Sequence, residues 1–387
     1  MKFSCTQENF NQGLLIASHI ATKNVNLPIL NNILIKAEDG LIKISTTNLE
    51  IGVTCFVRGK VEENGEFTLP ARVLADYINL LPREKIDLEL KEDQIKINCS
   101  NHQTTIKGEA ASEFPLIPQI KKTIPYSIKP NEFLRGIQQV VFATAISEAR
   151  PEISGVFMYF DNENKKLIMA ATDSYRLAEK KINLSKISEE NKEKKVVLPT
   201  KTLQEIQRIL SVINKEKDND GGEEDFLDIY LNENQILFVY NNIELISRVI
   251  EGQYPNYSAI IPNSYKTQMI IHTDDLTKAV KSASLFVKSG INDISLQLKP
   301  EAELIISSIN AQIGENTSSL EANINGEQNE VVLNYRYLLD GLTAINTSEA
   351  LVEVTDNNTP VIIKPVLASA QEGVDRDYLY LIMPIKQ

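Results

Sequence analysis

The chain has 387 residues, with 40 Lys and Arg against 52 Asp and Glu, a net charge of −12. That acidity excludes a protein that coats nucleic acid with its whole surface. Cys5, Cys55 and Cys99 lack CxxC spacing and read as small buried hydrophobes in a reducing compartment, and no window approaches the ~20 apolar residues of a membrane span, so a cytoplasmic protein is expected.

In chain order, the first third opens on a helical pattern entered at Thr6, with Phe10, Leu14 and Ala17 on one face. A hairpin follows, LIKAEDGLIKISTTNLEIGV from Leu34, then a second helix in LPARVLADYINLLP, two alternating strands in KIDLELKEDQIKINCS, and the turn SEFPLIP. The same order returns twice. In the second third, Asn131 leads to Phe133, Ile137 and Val140, the hairpin is FMYFDNENKKLIMAATDSYRLA from Phe157, and the second helix is LPTKTLQEIQRIL. Strands in DFLDIYLNENQILFVYN and the turn GQYPNYSAIIP complete it. In the last third, Thr273 leads to Leu276, Val280 and Ala283, with the hairpin LQLKPEAELIISSINAQIGE and the helix LNYRYLLDGLTAI. Its strands are ALVEVTDNNTPVIIKP and YLYLIMP.

Self-similarity at a fixed order of elements is the strongest signal a sequence offers about architecture. It predicts an α+β chain of three similar domains, each with two helices packed on antiparallel strands, at 1–123, 124–264 and 265–387. Each is close to the usual domain size of about 100–150 residues and large enough to bury its own core. Arg72, Lys201 and Arg336 share one register in the first turn of the second helices, with Leu74, Leu203 and Leu338 on the buried side.

The motifs of catalysis are absent. There is no phosphate loop of the Gly-x-x-x-x-Gly-Lys type, no Gly-x-Ser-x-Gly elbow, no His-Glu-x-x-His and no dinucleotide glycine cluster. His19, His102 and His272 have no ligand spacing, so no metal and no cofactor are expected. The acidic run EKDNDGGEEDFL imitates half a calcium loop, but Leu227 stands where a bidentate Glu is needed, so it reads as a solvated loop. Asp173 corresponds to Asn48 and Asn310, amides that cannot act as a general base, so it reads as a turn cap. An enzyme acting on nucleotides or polyanions needs a concentrated acid, base or metal cluster, and none is visible. A solenoid-like scaffold would also show repeats but would stay monomeric.

Charge is uneven within the acidic whole. Residues 71–85 carry Arg72, Arg83 and Lys85 against Asp76 and Glu84, and residues 200–217 carry Lys201, Arg208, Lys215 and Lys217 against Glu205 and Glu216. An acidic shell with mildly basic helices holds a polyanion on one face only, through few, mobile, salt-sensitive phosphate contacts. Solvated helix surfaces are also commonly rich in Lys and Arg, and charge alone leaves both readings open.

The runs LPILNNILI (27–35), PAR (70–72), ATDSYRLA (171–178), EGQYPNY (251–257) and YLIMPIK (380–386) carry a family resemblance. Together, in order and over the whole chain, they resemble the bacterial sliding clamp family, the beta subunits of replicative DNA polymerase III. The resemblance implies a non-catalytic head-to-tail homodimer whose six domains form a ring around duplex DNA, bound without regard to sequence. Implied partners are the DNA polymerase III core, a separate clamp-loader ATPase, and other polymerases and repair factors that dock short linear peptides. Implied DNA-facing residues are Lys23, Arg72, Arg135, Arg150, Lys201, Lys278 and Arg336. The implied peptide groove comprises Ile153, Thr172, Ser174, Tyr175, Arg176, Leu177, Pro255, Ala259, Ile260, Pro360, Leu381, Met383, Pro384 and Ile385.

The implied dimer seam joins Thr104 and Ile106 to Leu285, Phe286 and Val287, although SLFV reads equally as core at a helix end. Read without the family, IMPI is an ordinary terminal strand. Several positions depart from the family pattern. Ser174 and Tyr175 replace a common Gly-His pair, Ala259 replaces an Arg, and Asn24 and Glu148 replace a basic residue and a Gln found in some members.

Overall fold

The computed structural model describes residues 1–21, 26–146, 149–188, 193–217 (backbone alone at 214–217), 225–288, 290–367 and 377–386. Six α-helices occur among them, one pair per repeat: α1 (Gln7–Ala17) and α2 (Ala71–Leu80), α3 (Pro130–Val140) and α4 (Thr200–Lys217), α5 (Thr273–Ser284) and α6 (Tyr335–Thr343). Each first helix is followed by a hairpin: Asn32–Glu38 with Leu41–Thr47, Gly155–Asp161 with Lys166–Thr172, and Asp293–Lys299 with Glu303–Asn310.

Helix entry chemistry differs from expectation in two repeats. Thr6 does cap α1, accepting from Asn9 N at 3.4 Å. In the second repeat Pro130 occupies the first turn and Asn131 lies inside the helix; proline's fixed φ and missing N–H suit that first position. In the third, His272 precedes the helix, and Thr273 instead donates its hydroxyl to Thr347 O at 2.9 Å. Asp274 and Asp275 in its first turn favour the positive end of the helix dipole.

Arg72, Lys201 and Arg336 are each the second residue of their helix, while Leu74, Leu203 and Leu338, the fourth residues, are buried at 0, 0 and 1% exposure. The shared register is therefore physical: one face of the helix meets the sheet and the side two residues earlier meets solvent. All three cysteines are buried.

Among the described residues the strands form four antiparallel sheets. Contacts divide the chain into two compact units, one of Met1–Ile128, Ser185–Asn191 and Lys215–Val249, the other of Lys129–Leu184, Lys192–Asn214 and Ile250–Gln387. The first holds an eight-stranded sheet in which Ile51–Arg58 pairs with Ile243–Arg248, and a five-stranded sheet ending on His102–Lys107. The second holds a nine-stranded sheet in which Arg176–Asn183 pairs with Tyr378–Ile382, and a four-stranded sheet ending on Gly314–Glu321. The middle repeat is thus divided: its hairpin belongs to one unit and its last strands to the other. Backbone hydrogen bonding across the repeats produces this division, which sequence similarity alone does not reveal.

Within the second unit α6 lies tightly on the terminal strand. A Cβ on Gly341 would stand 2.2 Å from Cδ1 of Tyr380, a fully buried ring whose hydroxyl donates to Tyr337 O at 2.9 Å. Gly341→Ala is expected to lower stability by about 1–3 kcal/mol through overpacking. A urea midpoint equal to that of the parent chain would show that α6 moves aside freely.

Candidate functional site

The turn after each repeat's hairpin builds one edge of the site. Thr172 Oγ1 donates to Arg176 O at 2.6 Å and accepts from Ser174 N at 3.1 Å, while Asp173 Oδ1 accepts from the amides of Tyr175 and Arg176 at 2.9 and 3.0 Å. The first repeat has the same bonds: Thr47 Oγ1 to Ile51 O at 2.9 Å, and Asn48 Oδ1 from Glu50 and Ile51 amides at 3.0 and 2.8 Å. Asp173 is a cap, and either a carboxylate or an amide serves. Leu49 and Ser174 have φ of 75° and 79°, left-handed values that only the surrounding bonds hold for non-glycine residues. Tyr175, next in line, is 63% exposed.

Arg176 points the other way. Its side chain is 11% exposed, with Nε 3.0 Å from Asp173 Oδ2 and Nη2 donating to Phe142 O at 2.7 Å. Nη1 bonds Asp340 of α6, and the guanidinium lies over the rings of Tyr337 and Phe142 at 4.6 and 5.5 Å. A planar fork with several donors fits this set of acceptors and ring faces; an ammonium would not.

Two apolar clusters adjoin the turn. Leu177, Ala170 and Leu381 form one, with Tyr257, Ile261, Leu379 and Met383 packed against it; Ile153, Val197 and Tyr254 form the other. Phe157 and Tyr257 belong to both. Phe157 stacks on Tyr254 at 5.1 Å, and Tyr257 meets both rings edge-on. The Tyr257 hydroxyl donates to Glu179 at 2.6 Å, and burial, reinforced by that carboxylate, pushes its phenol well above the ordinary range. The tail joins through Met383 N, which donates to Tyr175 O at 2.8 Å, and Ile385 N, which donates to Val332 O at 2.8 Å.

Of the sequence-derived groove residues, Ile153, Leu177, Leu381 and Met383 thus meet around shared aromatic rings, and Thr172, Ser174, Tyr175 and Arg176 form the adjoining turn. Pro255 accepts from Tyr257 N at 2.8 Å; Ala259 and Ile260 are exposed, and Pro384 and Ile385 are half-buried. Pro360 instead lines a separate cavity of about 140 Å³ with Pro262 and Tyr265. Phe157, Tyr254, Tyr257 and Glu179 were missed by the sequence reading, although the two tyrosines stand inside the EGQYPNY motif.

The basic residues separate into two groups. Arg72, Lys201, Lys278 and Arg336 are exposed on helices; Arg72 lies 3.7 Å from Asp76 and Lys278 3.8 Å from Asp275, both loose surface pairs. Arg135 and Arg150 do not join that arrangement. Arg135 is half-buried and donates to Ala344 O at 2.6 Å, tying α3 to the end of α6. Arg150 binds Glu152 at 3.1 Å and Ser174 Oγ at 3.1 Å, which puts it beside the Thr172–Arg176 turn. Lys23, Asn24, Glu148 and the acidic stretch 218–224 lie outside the described residues.

The seam residues fall beside open strand edges. Thr104 and Ile106 are on His102–Lys107, at the edge of the five-stranded sheet. Leu285, 70% exposed, follows α5, and Val287 O accepts from Asn310 beside the edge strand Gly314–Glu321. Ile309 and Ile313 are 74 and 64% exposed nearby.

Three family models cover nearly the whole chain: DNA polymerase III beta subunit, N-terminal domain at residues 1–118, central domain at 127–256 and C-terminal domain at 258–386. The beta sliding clamp of Staphylococcus epidermidis is 30% identical, covering 100% of this chain and 99% of the relative. The chain belongs to the beta sliding clamp family. The beta sliding clamp of Bacillus subtilis is 29% identical with 100% of both chains covered, and that of Synechococcus elongatus 28% with 100 and 99% covered. The crystal structure of the DNA polymerase sliding clamp from Bacillus subtilis superposes with a TM-score of 0.89 at 28% identity, covering 100 and 99% of the two chains. The Thermotoga maritima beta subunit, 24% identical, has the same fold, with a TM-score of 0.87 and 100 and 99% covered. The three helix pairs and antiparallel sheets are accordingly clamp domains. Among the described residues no group of three or more His, Cys, Asp or Glu is placed to hold a metal, and no helix is long and apolar enough to cross a membrane.

Proposed function

We propose that two copies of this chain join head to tail in a closed ring around duplex DNA and tether polymerases to it without performing chemistry. The observation that carries this reading is the threefold register of Arg72, Lys201 and Arg336, one exposed cation at the same position of three equivalent helices. Few, evenly repeated phosphate contacts permit sliding, while topology prevents escape. The domain limits near Thr123 and Ser264 fit three such modules per copy.

Closure is supported by the two open edges. Lys107 stands at the end of one and Glu315 near an end of the other, so an antiparallel pairing sets opposite charges together. Such a contact is heterologous and closes only if the rotation per copy divides a full turn. It also covers Leu285, Ile309 and Ile313, apolar groups that water otherwise surrounds.

The groove supplies the tether. An apolar, Met-containing surface next to a few fixed polar groups accommodates varied short peptides from polymerases, the loader and repair factors. Holding the polymerase beside DNA raises its effective concentration at the primer end. With no phosphate loop in the sequence, ring opening draws on a separate ATPase.

The test is retention on DNA. Protein loaded on nicked circles should stay bound and run off once the circles are cut; loss at equal rates from both would end the ring reading. Replacing Arg72 and Lys201 by Glu should reduce loading and processive synthesis by about tenfold or more at ~150 mM salt while the dimer stays folded. Unchanged processivity would remove both from the DNA-facing set.

A further inference from the structure

The unit that contains Met1–Ile128 repeats the strand junction of the groove but fills it differently. Ile51–Arg58 pairs there with Ile243–Arg248, as Arg176–Asn183 pairs with Tyr378–Ile382 in the other unit, and the same capped turn precedes both. Gly52, one residue past Ile51, stands where Leu177 stands one residue past Arg176. A Cβ on Gly52 would come 2.9 Å from Ile117 and 3.1 Å from Ile246, so its absence lets the connector 117–122 lie down on the strand.

Along the other connector, Tyr254 and Tyr257 fill the space above the strands with Phe157. Ile117, Pro118, Gln119 and Ile120 bring no aromatic ring, and a cavity of about 390 Å³ remains above Thr54, Phe56, Leu237 and Ile246. Ligand pockets span about 300–1,000 Å³. At its border Lys122 is neutralised by Glu244 at 2.5 Å. Lys43 lies over the Phe56 ring at 5.9 Å and, among the described residues, has no carboxylate within ion-pair distance. The cavity thus combines Phe56, Ile117, Leu237 and Ile246 with the polar groups of Thr54 and Gln119, and its border carries one positive charge without a carboxylate partner among the described residues.

We propose that this cavity docks a short acidic-aromatic segment of a partner protein, its ring entering against Phe56, Leu237 and Ile246 and its carboxylate pairing with Lys43. A small pocket with one unpaired charge at its border fixes both the depth and direction of a linear peptide. The site is separate from the groove formed by Leu177, Leu381 and Met383, and one chain can hold both peptides.

The probe is fluorescein-labelled Gly-Asp-Phe-Leu-Gly, titrated by anisotropy up to about 1 mM against the 387-residue chain. Saturable binding is expected, weakened about tenfold or more by Lys43→Glu, reduced by Phe56→Ala, and unchanged in a chain lacking residues 383–387. Circular dichroism melts of both variants check that they fold. No saturable binding, or equal binding by Lys43→Glu, overturns the proposal. Loss of binding on deleting 383–387 would assign the probe to the other groove and overturn it equally. A change in oligomeric state for Lys43→Glu in light scattering would mean that a second copy covers the cavity, which would likewise overturn the proposal.

Discussion

Arg176→Ala should destabilise the chain by about 3–5 kcal/mol, the usual consequence of removing one partner from a buried charged network. The guanidinium joins Asp173, Phe142 O and Asp340, and fills the space between two rings. Its loss leaves the Asp173 carboxylate, 15% exposed, without its counter-ion, and opens a gap beneath α6. Arg176→Lys is expected to recover only part of the deficit, because a point charge cannot serve acceptors in three directions. Urea unfolding followed by tyrosine fluorescence is suitable, since the chain has 13 Tyr and no Trp. A midpoint unchanged from the parent chain would mark the network as peripheral. Asp340→Asn combined with Arg176→Ala should show strong non-additivity, as residues sharing one network do.

The second large effect is at the terminus. Removing residues 383–387 deletes the Met383 and Ile385 amide donors and the thioether packed beside Leu177 and Leu381. Tyr378–Ile382 remains paired on both sides, so the sheet should persist. Binding of a polymerase-tail peptide, read by fluorescence anisotropy, should fall about 100-fold or more, equivalent to roughly 3 kcal/mol. Retained affinity would place the groove elsewhere.

Much of this was legible in the residues. Alternation with period two and apolar spacing near 3.6 are imposed by geometry, so the hairpins at 34, 157 and 296 and the helices entered near 6, 131 and 273 could be read directly. The register of Arg72, Lys201 and Arg336 was legible for the same reason. The fates of Arg135 and Arg150 were not, because a sequence shows a charge but not the acceptor that folding brings beside it. Ala344 O lies 209 positions from Arg135, and Ser174 lies 24 from Arg150. The aromatic floor was hidden likewise: Phe157 in a hairpin and Tyr254 in a connector look like separate core residues until the chain stacks them. Helix entry at Asn131 failed because the preceding proline, preset for the first turn, won the competition.

The strand Tyr378–Ile382 carries a consequence for how the chain is made. It is inserted between Arg176–Asn183 and Val361–Pro365, so the nine-stranded sheet is incomplete until residue 382 has been synthesised. The Ile51–Arg58 edge likewise waits for Ile243–Arg248. A nascent polypeptide therefore carries unsatisfied ladder edges until these partners emerge, and pairing over such separations is slow. A product terminated before residue 378 would not be a smaller working version; it would expose the flank of Arg176–Asn183 to the nearest other chain.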